Sequence, residues 1–258
     1  GAHLLAILRR QVRTRPLPAR GRLLYNRAML ELDGIFLDMY GTLTAGDRQA
    51  VESACGDIVR DTGIKMSAHE LSITWGERFF HCLDFANGEQ FMTLADLERK
   101  TLTDTLSTLG VRIDPEPYVA SLMHYWRNPP LQPDVKGFLS SIRYPICLVS
   151  NADRADADAA LSNNGITLDH VVTSEDARSY KPDREIFEMA LRETGWRRER
   201  VIHVGDSLHS DVGGAIIAGI RSGWVNRAHR IHDIGTHQPD HEFDDLLGLV
   251  ALLARSAP

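Results

Sequence analysis

Short apolar runs separated by polar turns set the rhythm of the chain. Gly34-Ile35-Phe36-Leu37, Pro145-Ile146-Cys147-Leu148-Val149 and Val201-Ile202-His203-Val204 each have the length of a buried strand and stop at polar residues, and Trp224-Val225-Asn226 predicts one more strand. Helical periods follow them at Asp153 to Asn163 and Arg184 to Thr194, with Pro182 placed to start the second, and Phe243 to Leu253 reads as a terminal helix. Strands alternating with helices predict an α/β fold, a doubly wound parallel sheet.

The interval from Asp47 to about Asn128 breaks that rhythm. Its apolar positions recur at helical spacing, as in Val51-Cys55-Ile58-Val59, Leu71-Trp75-Phe79, Phe91-Leu94-Leu97-Leu102-Leu106 and Tyr118-Leu122-Tyr125, with Gly63, Gly88 and Gly110 as stops. A parallel strand pair needs a crossover of only about a dozen residues, so a helical unit is inserted here. Pro129, Pro130 and Pro133 mark the return. The expected organisation is a basic N-terminal extension over 1–32, an α/β core from 33–46 and 129–258, and an α-helical cap domain over 47–128.

Chemistry gathers where the apolar runs end. Asp38 leads Asp38-Met39-Tyr40-Gly41-Thr42, Ser150-Asn151 closes the second run, Lys181 stands in Ser179-Tyr180-Lys181-Pro182-Asp183, and Gly205-Asp206 opens a turn reaching Asp211. An aspartate at a strand end beside a glycine turn suits nucleophilic attack on phosphorus or carbon. Asp206, Asp211 and Asp38 offer the hard oxygens that Mg²⁺ prefers, Ser150 offers a hydrogen bond to an anionic oxygen, and Lys181 a point positive charge.

In this order the four segments resemble the motifs of the haloacid dehalogenase superfamily of aspartate-nucleophile hydrolases, over roughly residues 33 to 225. The resemblance implies a Rossmann-like core, a cap after the first motif, a covalent aspartyl intermediate on Asp38, and a metal site of Asp38, Asp206, Asp211 and the Tyr40 carbonyl. Catalytic roles then fall to Asp38, Tyr40 and Lys181, and substrate binding to Thr42, Ser150 and Asn151. Arg48 and Arg78 are basic cap residues placed to face the site and bind substrate, Arg78 being read also as a solvated or ion-paired side chain. The phosphatases of the superfamily carry a second aspartate where Tyr40 stands. A tyrosine there resembles the 2-haloacid dehalogenase branch, which typically lacks the acidic pair kept here as Asp206 and Asp211. Because three unbalanced carboxylates repel one another, the leading expectation is a Mg²⁺-dependent phosphatase acting on a small phosphorylated metabolite. The alternatives are a carbon–halogen hydrolase using the same aspartate without metal, and a weakly catalytic binding member. Tyr40 is read either as a proton donor or as an aromatic packed against the cap or the substrate. Trp75, Phe79 and Phe80 are read as cap core or as substrate walls, and His203 as an ordinary strand residue.

Composition adds bounds. The 258 residues are 43% hydrophobic, enough for one sizeable core and a smaller accessory unit. No run approaches the ~20 apolar residues of a membrane span. Cys55, Cys82 and Cys147 lack pairing or metal-ligand spacing, which points to a reducing, cytoplasmic setting. Seven arginines precede the first acid, Glu31, against a formal net charge of −6, so the remainder carries −13. That arm reads as solvated or folded onto the acidic body, ahead of a targeting or membrane-surface segment. Nothing predicts nucleic-acid binding, and oligomeric state is left open.

Overall fold

The computed structural model describes residues 31–231 and 237–254; the arginine-rich arm up to residue 30 lies outside them. The first apolar run is strand β1 (Gly34–Leu37), and the others become β2 (Ile146–Ser150) and β4 (Val201–Gly205). With β3 (His170–Thr173), β5 (Arg221–Val225) and β6 (His241–Phe243) they form a six-stranded parallel sheet in the order β3-β2-β1-β4-β5-β6. Two expectations shift here. The strand begun at Trp224 starts at Arg221, and Phe243, read as the start of a helix, closes β6.

Alternation across the pleat explains why the central strands are apolar throughout. Ile35, Leu37, Leu148, Ile202 and Val204 face one layer, built from Phe138 on α5 (Val135–Ser141), Ala157 and Leu161 on α6 (Arg154–Asn163), and Leu246 and Leu249 on α10 (Leu246–Ala254). Phe36, Cys147, Val149 and Val201 face the other, against Ile186, Phe187 and Ala190 on α8 (Arg184–Thr194) and Ala215 on α9 (Gly214–Ala218). Between β3 and α8 runs the one-turn helix α7 (Ser174–Ala177). Pro182 stands two residues ahead of α8, whose N-cap is Asp183, accepting from the Glu185 amide at 2.9 Å.

Strand order reverses beside β1. The chain winds outward through β2 and β3, then returns to place β4 on the opposite side of β1. Such a switch point leaves a crevice beyond the carboxyl ends of the strands, where ligands of open α/β sheets bind. Both Asp38 and Asp206 follow strands that flank it.

Four helices between β1 and β2 cover that crevice: α1 (Asp47–Thr62), α2 (Ala68–Leu83), α3 (Leu94–Thr108) and α4 (Glu116–Arg127). They share a separate apolar core of Ala54, Cys55, Ile58, Leu71, Trp75, Leu102, Leu106, Val119 and Leu122. Gly63 ends α1 in the left-handed conformation, φ +65°, that a side chain disfavours. Polar ties fasten this layer to the sheet. The Tyr125 hydroxyl donates to the Ala45 carbonyl at 2.8 Å, and the Tyr180 hydroxyl to the Met92 carbonyl at 2.7 Å. Asp153, just after β2, accepts from the Leu94 and Ala95 amides at 2.7 and 3.0 Å, capping the N-terminus of α3 from across the cleft. Among the described residues no helix is long and apolar enough to cross a membrane.

Candidate active site

The end of β1 delivers Asp38 into the crevice with only 6% of its surface exposed, so the carboxylate is a buried group and not the surface one that a strand end implies. Its Oδ1 accepts from Lys181 Nζ at 2.7 Å and from Ser150 Oγ at 3.4 Å, and its Oδ2 accepts from Thr42 Oγ1 at 3.1 Å. The turn after it requires glycine at one position. Gly41 has φ +87°, and a Cβ there would lie 2.6 Å from Asp206 Oδ1.

Lys181 sits beneath these groups, 2% exposed. Its ammonium donates to Asp38 Oδ1, to Asp211 Oδ1 at 2.7 Å and to the Val149 carbonyl at 2.9 Å. Asn151 holds the backbone beside it, accepting from the Lys181 amide at 2.7 Å and donating to the Lys181 carbonyl at 3.1 Å. The asparagine expected to bind substrate is thus a brace for the lysine, although it also lines the cavity.

The fourth segment turns through a π-helical stretch, Leu208–Gly213, which carries Asp211 back under β4. Such a widened turn is a frequent mark of functional sites. Asp211 Oδ2 accepts from the Ser207 amide at 2.9 Å, while Oδ1 receives Lys181 and His203 Nε2, the latter at 3.0 Å. His203 is therefore a buried partner of the acidic cluster; the alternation of β4 carries it inward, where its ring also meets Phe187 edge-on. Gly205 makes room for the arrangement, since a Cβ there would stand 2.2 Å from the Asp211 carboxylate.

One oxygen from each of Asp38, Asp206 and Asp211 can be chosen so that all lie within 4.8 Å of one another. The charges are unevenly balanced. Burial works against it, yet Lys181 and His203 hold the Asp211 carboxyl well below the usual carboxylate range. Burial likewise opposes the Lys181 charge, but Asp211 and Asp38 keep that ammonium above its ordinary value. For Asp38, burial wins and its carboxyl is pushed up. Asp206 is the surplus charge: burial, then repulsion from Asp211 and Asp38, pushes it up to about 7, and Arg230 approaches its carboxylate no nearer than 3.9 Å. This donor set fits a divalent cation, which would replace the missing counter-charge with oxygen ligands to spare.

Above the cluster lies a cavity of about 420 Å³ between sheet and cap, large enough for a small metabolite. Trp75, Phe79 and Phe80 line it; Trp75 also belongs to the helical core and Phe79 packs against that core. Tyr40 lines it too, with its hydroxyl committed elsewhere: it donates to the Trp126 carbonyl on α4 at 2.8 Å while its ring packs edge-on to Trp126. Burial pushes the phenol above its ordinary value. Tyr40 thereby ties the loop after β1 to the cap.

Arg48 reaches the cavity lining but pairs with Glu52 at 3.2 Å, its side chain more than half exposed. Arg78 does not line it. At ~100° per residue, the lining positions of α2 sweep from Trp75 through Gly76 to Ile73, and Arg78 falls ~60° outside that arc, on the side facing α3, where it donates to Thr108 at 3.1 Å. Asp153 and Glu98 are among the lining residues that escaped the motif reading. Asp153 carries no sequence signal, but Glu98 does, as an acid on the buried stripe Leu97, Thr101, Leu102, Thr105 of α3.

Comparisons with known proteins agree with this geometry at the level of family. Residues 32–219 match the model of the haloacid dehalogenase-like hydrolases. The chain is 25% identical over 234 residues to a (S)-2-haloacid dehalogenase of Pseudomonas sp. (strain YL), covering 88% of this chain and 96% of that protein. It is 34% identical over 125 residues to the pyrimidine 5'-nucleotidase YjjG of Escherichia coli (strain K12), covering 45% of this chain and 56% of that one. Among solved structures, a crystal structure of a dehalogenase matches with a TM-score of 0.69 and 26% identity, over 86% of this chain and 97% of its own.

Proposed function

The chain belongs to the haloacid dehalogenase-like hydrolases, and within that family we propose that it hydrolyses phosphate esters of small, largely apolar molecules through Asp38, with Mg²⁺ bound by Asp38, Asp206, Asp211 and the Tyr40 carbonyl. The observation that carries this is the surplus charge of Asp206. Lys181 pairs with Asp38 and Asp211, leaving Asp206 only Arg230 at 3.9 Å, and a family member working without metal has no use for this third carboxylate. When bound, the cation would offset repulsion between the cluster and an anionic substrate.

The residues of the chain do the rest. Thr42 and Lys181 hold the Asp38 carboxylate at two points, fixing it for attack. A carboxylate oxygen forms a bond to phosphorus as the bond to the leaving alcohol breaks, and water then hydrolyses the aspartyl phosphate, releasing inorganic phosphate and restoring Asp38. Lys181 stabilises charge on the phosphoryl oxygens by its field, and Ser150 lies where it can donate to one. The phenol of Tyr40 is held by Trp126, so the leaving alcohol takes its proton from water, which favours esters with good leaving groups.

A second reading has its own support. Carbon–halogen hydrolysis at Asp38 is favoured by the likeness to a 2-haloacid dehalogenase over nearly the whole length of both chains, whereas the likeness to the nucleotidase spans about half. A halide also leaves without a proton, which suits Tyr40.

One panel separates them. Turnover of aryl and alkyl phosphates and of 2-haloacids is measured in EDTA and in Mg²⁺. The phosphatase reading expects phosphate release that needs Mg²⁺ and no halide release; metal-independent halide release with inert phosphates establishes the other. In either case Asp38→Asn abolishes turnover while circular dichroism shows a folded protein, because the amide still accepts from Lys181 but is no nucleophile.

A further inference from the structure

Glu98 is the misfit of the cavity wall. It lies on the buried face of α3, 5% exposed, beside apolar lining residues Leu94, Leu122 and Trp126. Its Oε1 accepts from the indole Nε1–H of Trp126 at 2.9 Å. Its Oε2 is fully buried and has no hydrogen-bond partner among the described residues. A carboxyl oxygen in that state costs stability for its unmet hydrogen bond, and a turn of the carboxyl toward the adjoining cavity lets a ligand there complete it.

We propose that Glu98 is a specificity-determining residue of the cap, whose free oxygen hydrogen-bonds to an uncharged oxygen, hydroxyl or carbonyl, at the end of the substrate remote from the bond that Asp38 cleaves. The inference rests on the cavity being the substrate chamber of the proposed hydrolase. It narrows the substrate to a small molecule with an apolar body and a distal oxygen function.

Charge argues for an uncharged partner. Burial, with Asp153 and Asp156 nearby, pushes the Glu98 carboxyl up to about 8 against the pull of Trp126 and Arg99, so near neutral pH it carries its proton. Asp153 is spent on the α3 amides and Asp156 on Arg127 at 2.6 Å. A neutral acid with one oxygen held by Trp126 has an O–H to donate. A hydroxyl or carbonyl oxygen accepts it without bringing charge into an apolar wall. Sites built to hydrogen-bond a substrate oxygen reject analogues that lack it far more strongly than apolar pockets reject an extra methylene.

Binding of product-like alcohols tests this without turnover. 1-Hexanol and 1,6-hexanediol share the alcohol end and differ in the distal oxygen, and Trp75 and Trp126 in the wall report occupancy by fluorescence. The wild type is expected to bind the diol at least as tightly as hexanol, although water holds the diol more strongly. Glu98→Gln, which keeps a donor and an acceptor, should preserve the ratio within about threefold. Glu98→Leu should shift it at least tenfold toward hexanol. If Glu98→Leu does not fold, the wild type alone decides: a tenfold or greater preference for hexanol, the behaviour of a wholly apolar wall, overturns the proposal. So does an unchanged ratio in a folded Glu98→Leu, or the failure of both alcohols to bind the wild type. A Glu98-dependent ratio in a protein inert on every phosphate and haloacid would leave this inference standing and the proposed reaction refuted.

Discussion

A single side chain can report its surroundings through the pH dependence of folding, and Glu98 is placed to do so. Its carboxyl titrates near the ordinary 4.5 when unfolded and at about 8 when folded. Below about pH 4.5 both states hold the proton and the contribution to stability is complete. As pH rises the unfolded chain releases its proton first, so stability falls between about 4.5 and 8, by roughly 1.4 kcal/mol for each pH unit crossed, and levels off above. Urea unfolding midpoints at pH 5 and pH 8 check this: Glu98→Gln should show a smaller fall than the wild type by a few kcal/mol. Equal falls would show that Glu98 is ionised in the folded protein. At this scale the sequence was partly legible. Asp38 and Asp206 announce themselves because each follows an apolar run, Asp211 by its spacing from Asp206, and Lys181 by its place in the order of the four segments. His203 does not, since a histidine inside a strand gives no sign of which neighbour its ring will meet. Arg78 misled because charge identifies a candidate but only helical phase decides which way it faces.

Elements carry their own constraints, and β4 shows how tight they are. Its last residue, Gly205, leaves no room for a methyl group beside Asp211. Gly205→Ala should therefore cost about 1–3 kcal/mol through overpacking, and should lower turnover at least tenfold, because the displaced carboxylate is a partner of Lys181. Chemical denaturation and steady-state rates check the two parts separately; full activity with a large stability loss would place the strain away from Asp211. Strands β1, β2, β4 and β5 and helices α6, α8 and α10 were legible from period and length; β3, α5, α7 and α9 were not singled out, and neither was β6. Three residues, His241–Phe243, are too few to show alternation, and their apolar end merged with the helix behind them. The inserted helices were legible as helices. Their hold on the core was not, since it runs through Tyr125, Asp153 and Tyr180 to backbone groups that the sequence cannot pair in advance.

Across the whole molecule, those ties decide how firmly the cavity is roofed. Removing two of them in Tyr125→Phe/Tyr180→Phe should lower stability by about 1 kcal/mol per lost hydrogen bond, and should speed amide exchange in α3 and α4 while leaving β1 and β4 protected. Unchanged exchange in the helices would mean that their own core, and not the ties, sets the opening of the roof. Beneath that roof, Lys181 joins three neighbouring strands at once, through Asp38 after β1, Val149 within β2 and Asp211 after β4. An ammonium has three hydrogens, and all three are spent. What it could extend to an arriving anion is a field without a hand free to grasp, and a broader guanidinium in its place would have to pry the three strand ends apart to fit.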